Sequence, residues 1–285
     1  MTGAAFGEQA ELVVPSGRAL LSTVRRGAQG TPPAVFLHSG ISDKRSWEDV
    51  LDLLSTELDV VAYDRRGFGA TTLTAEPHDQ LADLLAVLEA LQLGQVALIG
   101  NSRGGQIALD FTLSHPARVR ALILVAPAVS GAPAVDDAAI DPVEAVIWET
   151  LVAADAAGAL DALNLGEIRL WLDGPHAPEG RVGGARRELA LEMNRIALYA
   201  ESPGYEPEPL PQAWSRLSEL RCPVLVVVGD LDLVHIRERC RQLVALIPGA
   251  ELCVMEGAAH LPGFEQPAAF ASVVRDFLHR SVSGA

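Results

Sequence analysis

Cysteine is scarce: only Cys222, Cys240 and Cys253 occur in 285 residues, an odd number far apart in the chain. This excludes a disulfide framework and every C-x-x-C metal spacing, and leaves the three as small apolar packing residues with free thiols. No apolar run approaches the roughly 20 residues that a membrane-spanning helix needs. The opening, MTGAAFGEQAELVV, has no basic stretch followed by an apolar one, so no secretory signal is expected. Positive charge is also short, with 22 Lys and Arg against 37 Asp and Glu and a net charge of -15. Such a surface repels phosphate backbones and anionic lipid heads, so neither nucleic acid nor membrane is an expected partner. The expectation is a soluble, cytoplasmic protein, with its oligomeric state left open.

What is present is ample material for a core: hydrophobic residues are 49% of the chain. A single α/β domain accommodates this length. ELVV at 11–14 and RALLSTV at 18–24 flank Pro15-Ser16-Gly17 and read as an antiparallel hairpin. Continuous apolar runs follow at 34–37, 59–63, 95–99, 119–125, 224–228 and 251–255, as expected for strands covered on both faces. Helical periodicity lies between them near 46–56, 79–92, 104–114, 236–247 and 266–280. The pattern predicts an eight-stranded, mostly parallel sheet flanked by helices.

The alternation breaks once, after the sixth strand. Residues 128–216 carry helical patterns near 141–163 and 183–199 and a Pro-rich return, SPGYEPEPLP, at 202–211. A structureless loop of that length would count against the assignment, so the segment is expected to be a helical cap. The expected organisation is a first core part at 1–127, the cap at 128–216 and a second core part at 217–285. The cap is markedly acidic: 130–215 holds 15 acidic and 5 basic residues. This disfavours anionic substrates, although exposed acids in water are strongly screened.

Gly100-Asn101-Ser102-Arg103-Gly104 follows a buried strand and precedes a helix, the context that makes G-x-S-x-G a nucleophile elbow. There the tight turn lifts the serine hydroxyl above the sheet and aims the helix N-terminus, with its partial positive charge, at the reaction centre. A serine hydroxyl needs a base, and His260 suits the task because it sits in a small-residue loop just beyond the last strand. His115, His78, His176 and His279 lie at helix ends, in polar loops or near the C-terminus. His235 has a stronger claim, following the acid loop closely, but no strand end positions it. The base needs a carboxylate. The loop after 119–125 offers none, whereas Gly229-Asp230-Leu231-Asp232 offers two. Asp232, further out on the loop, is the expected partner, with Asp230 expected to bond local backbone amides. Oxyanion donors are expected from the Arg103 amide and from Gly40 in Leu37-His38-Ser39-Gly40, with His38 holding that loop by hydrogen bonds.

LHSG at 37–40, DRRGFG at 64–69, GNSRGG at 100–105, GDLD at 229–232 and GAAHLPGFEQP at 257–267 together resemble the α/β-hydrolase superfamily over nearly the whole chain. Two positions depart from its pattern: Ser39 replaces the glycine of an H-G pair, and Ala70-Thr71 stands where a serine commonly follows D-x-R-G-x-G. The likeness is strongest to the capped esterase, enol-lactonase, cofactor-free haloperoxidase and C–C hydrolase branches. Serine at 102 argues against the branches with an aspartate nucleophile, the haloalkane dehalogenases and epoxide hydrolases. The resemblance implies hydrolysis of a small-molecule ester, thioester or lactone through an acyl-enzyme, without metal or organic cofactor. Trp148, Trp171, Met193, Ile196, Tyr199 and Trp214 in the cap are candidate substrate-lining residues. The alternatives are a C–C bond hydrolase or acyltransferase on the same triad and, in another class, a ligand-binding protein that keeps the fold without turnover.

Overall fold

The structure, a computed structural model, describes residues 10–27, 30–73, 75–134, 141–202, 204 and 212–283. Strands β1 (Ala10–Ser16) and β2 (Ala19–Arg26) form the predicted antiparallel hairpin, turning at Gly17. The others are β3 (Pro33–Leu37), β4 (Asp59–Tyr63), β5 (Val96–Asn101), β6 (Val119–Val125), β7 (Val224–Gly229) and β8 (Glu251–Met255). They make one eight-stranded sheet in the order β1-β2-β4-β3-β5-β6-β7-β8. Pairing is antiparallel only at β1–β2 and β2–β4. This is the α/β-hydrolase fold that the motifs imply.

The continuous apolar strands of the sheet interior are explained by two cores, because successive side chains leave opposite faces of a sheet. The edge strand β8 departs from the expected coverage on both faces, with Leu252 38% and Val254 50% exposed. Val35, Leu37, Leu98, Leu122 and Val226 point to one side, where α2 (Gln80–Ala90), α3 (Arg103–Ser114) and α8 (Val234–Leu246) cover them. Ala34, Phe36, Ile99, Ile123 and Val227 point to the other, under α1 (Glu48–Leu54) and α9 (Pro267–Ser283). Buried Cys240 belongs to the first core, and Cys222 and Cys253 pack at the margins of the two. Burial pushes the Cys222 thiol up to about 11 and raises the other two as well, which keeps all three protonated and unreactive.

Between β6 and β7 lie α4 (Pro142–Ala156), α5 (Leu160–Ile168), α6 (Gly184–Tyr199) and α7 (Ala213–Arg216). The single periodic stretch read at 141–163 is two helices, because Gly158 takes φ +63° and turns the chain back between α4 and α5. Asp141 starts α4 by accepting the Val143 and Glu144 amides. Residues Arg169–Asp173 then widen into one π-helical turn. Apart from Ser202 and Gly204, the Pro-rich return lies outside the described residues. Among the described residues, no helix is long and apolar enough to cross a membrane.

Candidate active site

Parallel strands deliver their following loops to one edge of the sheet, and the predicted chemistry gathers at that edge. At the end of β5, Ser102 adopts φ +53° and ψ −114°, a region that a residue with a side chain rarely occupies. Such a conformation costs about 1–3 kcal/mol and persists only where the surroundings enforce it. Here Ser102 N–H donates to Val125 O at 2.8 Å, while Ser102 O accepts the Gln106 amide at 3.0 Å and the Ala128 amide at 3.1 Å. The glycines of the motif are required by contact. A Cβ on Gly104 would lie 2.3 Å from Leu37 O and 2.6 Å from His38 O, and one on Gly100 would lie 2.3 Å from Gly104 O. Backbone oxygens held in a sheet cannot yield, so Gly104→Ala is expected to cost about 3 kcal/mol, within the range of overpacked cores. A lowered urea midpoint with unchanged m-value checks this.

His260 Nδ1 lies 2.8 Å from Asp232 Oδ2, both side chains being buried. Asp232 Oδ1 accepts the Leu233 amide at 2.8 Å. A carboxylate only accepts, so the proton between them belongs to Nδ1, and in the neutral ring the lone pair falls on Nε2. The elbow and the histidine are joined directly: Asn101 Nδ2 donates to His260 O at 3.0 Å and to Val125 O at 3.1 Å. Ser102 Oγ is half-buried and makes no hydrogen bond among the described residues. Such bonds are often long before substrate arrives. Asp230 turns away to accept the Gly257 amide of the histidine loop at 2.7 Å, a backbone amide as expected but 27 residues away rather than local, because the acid and histidine loops lie side by side. The acid and histidine loops approach so closely that a Cβ on Gly229 would sit 2.1 Å from Ala258 O. His235, on the first turn of α8, faces Glu144 Oε2 at 3.8 Å, and burial holds its pKa below the ordinary value.

The loop after β3 is braced from beneath. His38 Nε2 accepts the Arg65 amide at 3.0 Å, which leaves Nδ1 to donate to Ser39 O at 2.8 Å. Burial and the Arg65 charge hold His38 well below the ordinary histidine range, so it stays neutral. Arg65 Nη2 donates to the same Ser39 oxygen, which gives the DRRGFG segment a role here. Ser39 replaces the family's glycine without strain: its φ is not positive, and its hydroxyl lies 2.8 Å from Ser42 Oγ. Gly40 follows, exposed, with open space where a Cβ would stand.

The helical insertion packs on all of these loops. Ile168, Leu172 and Met193 form one apolar cluster with Ile41, Leu261 and Phe264, and Leu151, Leu163 and Leu170 form another with Leu233. Of the predicted lining residues, Trp171 lies against the His260 ring with centroids 4.5 Å apart and planes tilted by 44°, and Trp148 meets Trp171 edge-on at 5.7 Å. Met193 is fully buried between insertion and loops. The other three are not brought to this group. Ile196 faces a groove beside Lys44, Asp64 and Ala70. Tyr199 is 53% exposed at the end of α6, bonded to Asp161, and Trp214 packs on the sheet core beneath Arg239. Aromatic and β-branched residues on amphipathic helices look alike in sequence whichever surface they cover.

Sequence reasoning gave no part to Asn101, Glu265, Arg181 or Glu144. Only Asn101 carried a signal, since an amide side chain at the buried end of a strand must find partners. Among the described residues, no group of three or more His, Cys, Asp or Glu could hold a metal ion.

Residues 34–273 match the family described as alpha/beta hydrolase family. A 2-hydroxy-6-oxo-2,4-heptadienoate hydrolase of Pseudomonas putida is 28% identical, covering 86% of this chain and 88% of the relative. A pimeloyl-[acyl-carrier protein] methyl ester esterase of Aeromonas hydrophila is 25% identical, covering 90% of this chain and 98% of the relative. The structure of an enol-lactonase from Burkholderia xenovorans superposes with a TM-score of 0.70 at 22% identity, covering 94% and 99% of the two chains.

Proposed function

Because this chain belongs to the alpha/beta hydrolase family, we propose that it is a serine hydrolase that cleaves a small-molecule ester, thioester or lactone. What supports the reading above all is the buried Asp232–His260 pair at 2.8 Å, tied through Asn101 to the strained elbow of Ser102.

In this mechanism His260 Nε2 takes the Ser102 proton as Oγ attacks the carbonyl. The Gly40 and Arg103 amides hold the oxyanion, a type of donor worth about 2.7–4 kcal/mol each. The imidazolium, steadied by Asp232, returns its proton to the leaving oxygen or sulfur. Water, deprotonated by the same histidine, then releases the acid. Every step uses groups of this chain. Trp171, Trp148 and Met193 are proposed to line the acyl side, which their placement against His260 and Ile41 supports.

A second reading is favoured by the relative that acts on a 2-hydroxy-6-oxo-dienoate. Such a substrate, ketonised, is a vinylogous diketone, and the same residues would split its C–C bond. Purified protein offered p-nitrophenyl esters of graded acyl length and a 2-hydroxy-6-oxo-dienoate decides between them. Turnover of the esters is the expected result; turnover of the dienoate alone would replace it with C–C hydrolysis.

A further inference from the structure

Glu265, one turn beyond His260, is buried and belongs to no step described above. Its Oε2 accepts the Ala259 amide at 2.8 Å and its Oε1 accepts the Leu261 amide at 2.9 Å. The two amides flank the histidine, so one carboxylate spans the peptide that carries the base. Opposite it stands Arg181, contributed by the helical insertion. Arg181 pairs with Glu265 Oε2 and donates to Gly257 O at 2.6 Å in the histidine loop. On its own side it holds Leu172 O and Asp173 O, the latter at 2.8 Å. Asp173, fully buried, is in turn held by Arg187 at 2.8 Å and by the Gly180 amide at 2.9 Å. The His260 amide itself donates to Trp171 O, in the π-helical turn, at 3.1 Å.

Each oxygen of Glu265 thus has an amide that only a carboxylate can serve in pairs, and its charge is matched by an arginine fork rooted in the insertion. We propose that Glu265 and Arg181 are positioning residues that lock the His260 peptide to the helical insertion, so that the insertion sets the aim of the base. This rests on the reading of His260 as general base. A misplacement of about 1 Å at a catalytic group can cost on the order of a hundred-fold in rate. The loss should fall on turnover, because neither side chain is proposed to touch substrate.

Glu265→Gln keeps the shape but offers one acceptor oxygen to two amides. In the full-length protein, kcat on p-nitrophenyl acetate is expected to fall about ten- to a hundred-fold with KM within about two-fold. The rate of Ser102 modification by a fluorophosphonate probe should fall by the same factor. Arg181→Lys, which keeps the cation but loses the fork, should fall between parent and Glu265→Gln. Parent-like kcat in folded Glu265→Gln overturns the proposal. If that variant does not fold, parent-like kcat in Arg181→Lys overturns it and a loss confined to kcat supports it. A loss of kcat matched by an equal rise in KM also overturns it. Failure of the parent to be labelled at Ser102 would instead remove the general-base reading and leave the lock purely structural.

Discussion

Ser102→Ala is expected to lower kcat/KM for ester hydrolysis on the order of a million-fold, the scale seen when a serine nucleophile is deleted. That corresponds to about 8 kcal/mol of transition-state stabilisation. Binding and the oxyanion donors remain, so the variant should keep a weak rate above water rather than fall to zero. The matching observation is loss of fluorophosphonate labelling by intact mass, with the thermal midpoint near the parent's. Ser102→Gly separates chemistry from strain. At φ +53° and ψ −114° glycine relieves the cost that serine bears, so this variant should be equally inactive yet about 1–2 kcal/mol more stable. Full labelling of Ser102→Ala would show that another residue is the nucleophile.

Asp232→Ala is expected to lower kcat by about 10⁴-fold, while Asp230→Ala lowers it by no more than about ten-fold. Their bonds account for the asymmetry. Asp232 holds His260 Nδ1 and the Leu233 amide from a buried position, whereas Asp230 accepts the Gly257 amide, three residues before His260 in the neighbouring loop. Asp232→Asn should be nearly as damaging as alanine. An asparagine that turns its amide donor toward Nδ1 moves the imidazole proton to Nε2, where a base needs its lone pair. Steady-state rates of the three variants on one ester check this, and equal losses in Asp230→Ala and Asp232→Ala would undo the assignment.

The fold was legible because its signals are local. Every strand of the sheet corresponds to an apolar run; the inner strands, covered on both faces, need no polar alternation, while the edge strand β8 reads the same although Leu252 and Val254 are exposed, and the hairpin is marked by Pro15-Ser16-Gly17. Within the site, G-x-S-x-G carries its own geometry: Gly100 and Gly104 are the residues that leave space for the elbow. The insertion was less legible. The helical pattern near 141–163 did not show a break, and only the left-handed φ of Gly158 makes it a turn between two helices. Tyr199 and Trp214 illustrate the same limit, because amphipathicity tells that a face is buried or apolar but not against what.

Sequence alone determined the strand–elbow–helix unit around Ser102, the chain order of the candidate serine, acid and histidine, and the packing role of the cysteines. These depend on residues within a few positions of one another, where backbone sterics and periodicity act. Only the tertiary structure decided which aspartate faces His260, that Asn101 ties His260 to the elbow, and that Glu265 and Arg181 bind the histidine loop to the insertion. Those contacts join residues far apart in the chain. No local pattern encodes them, because a carboxylate or an amide meets its partner only after the sheet has brought the loops to one edge.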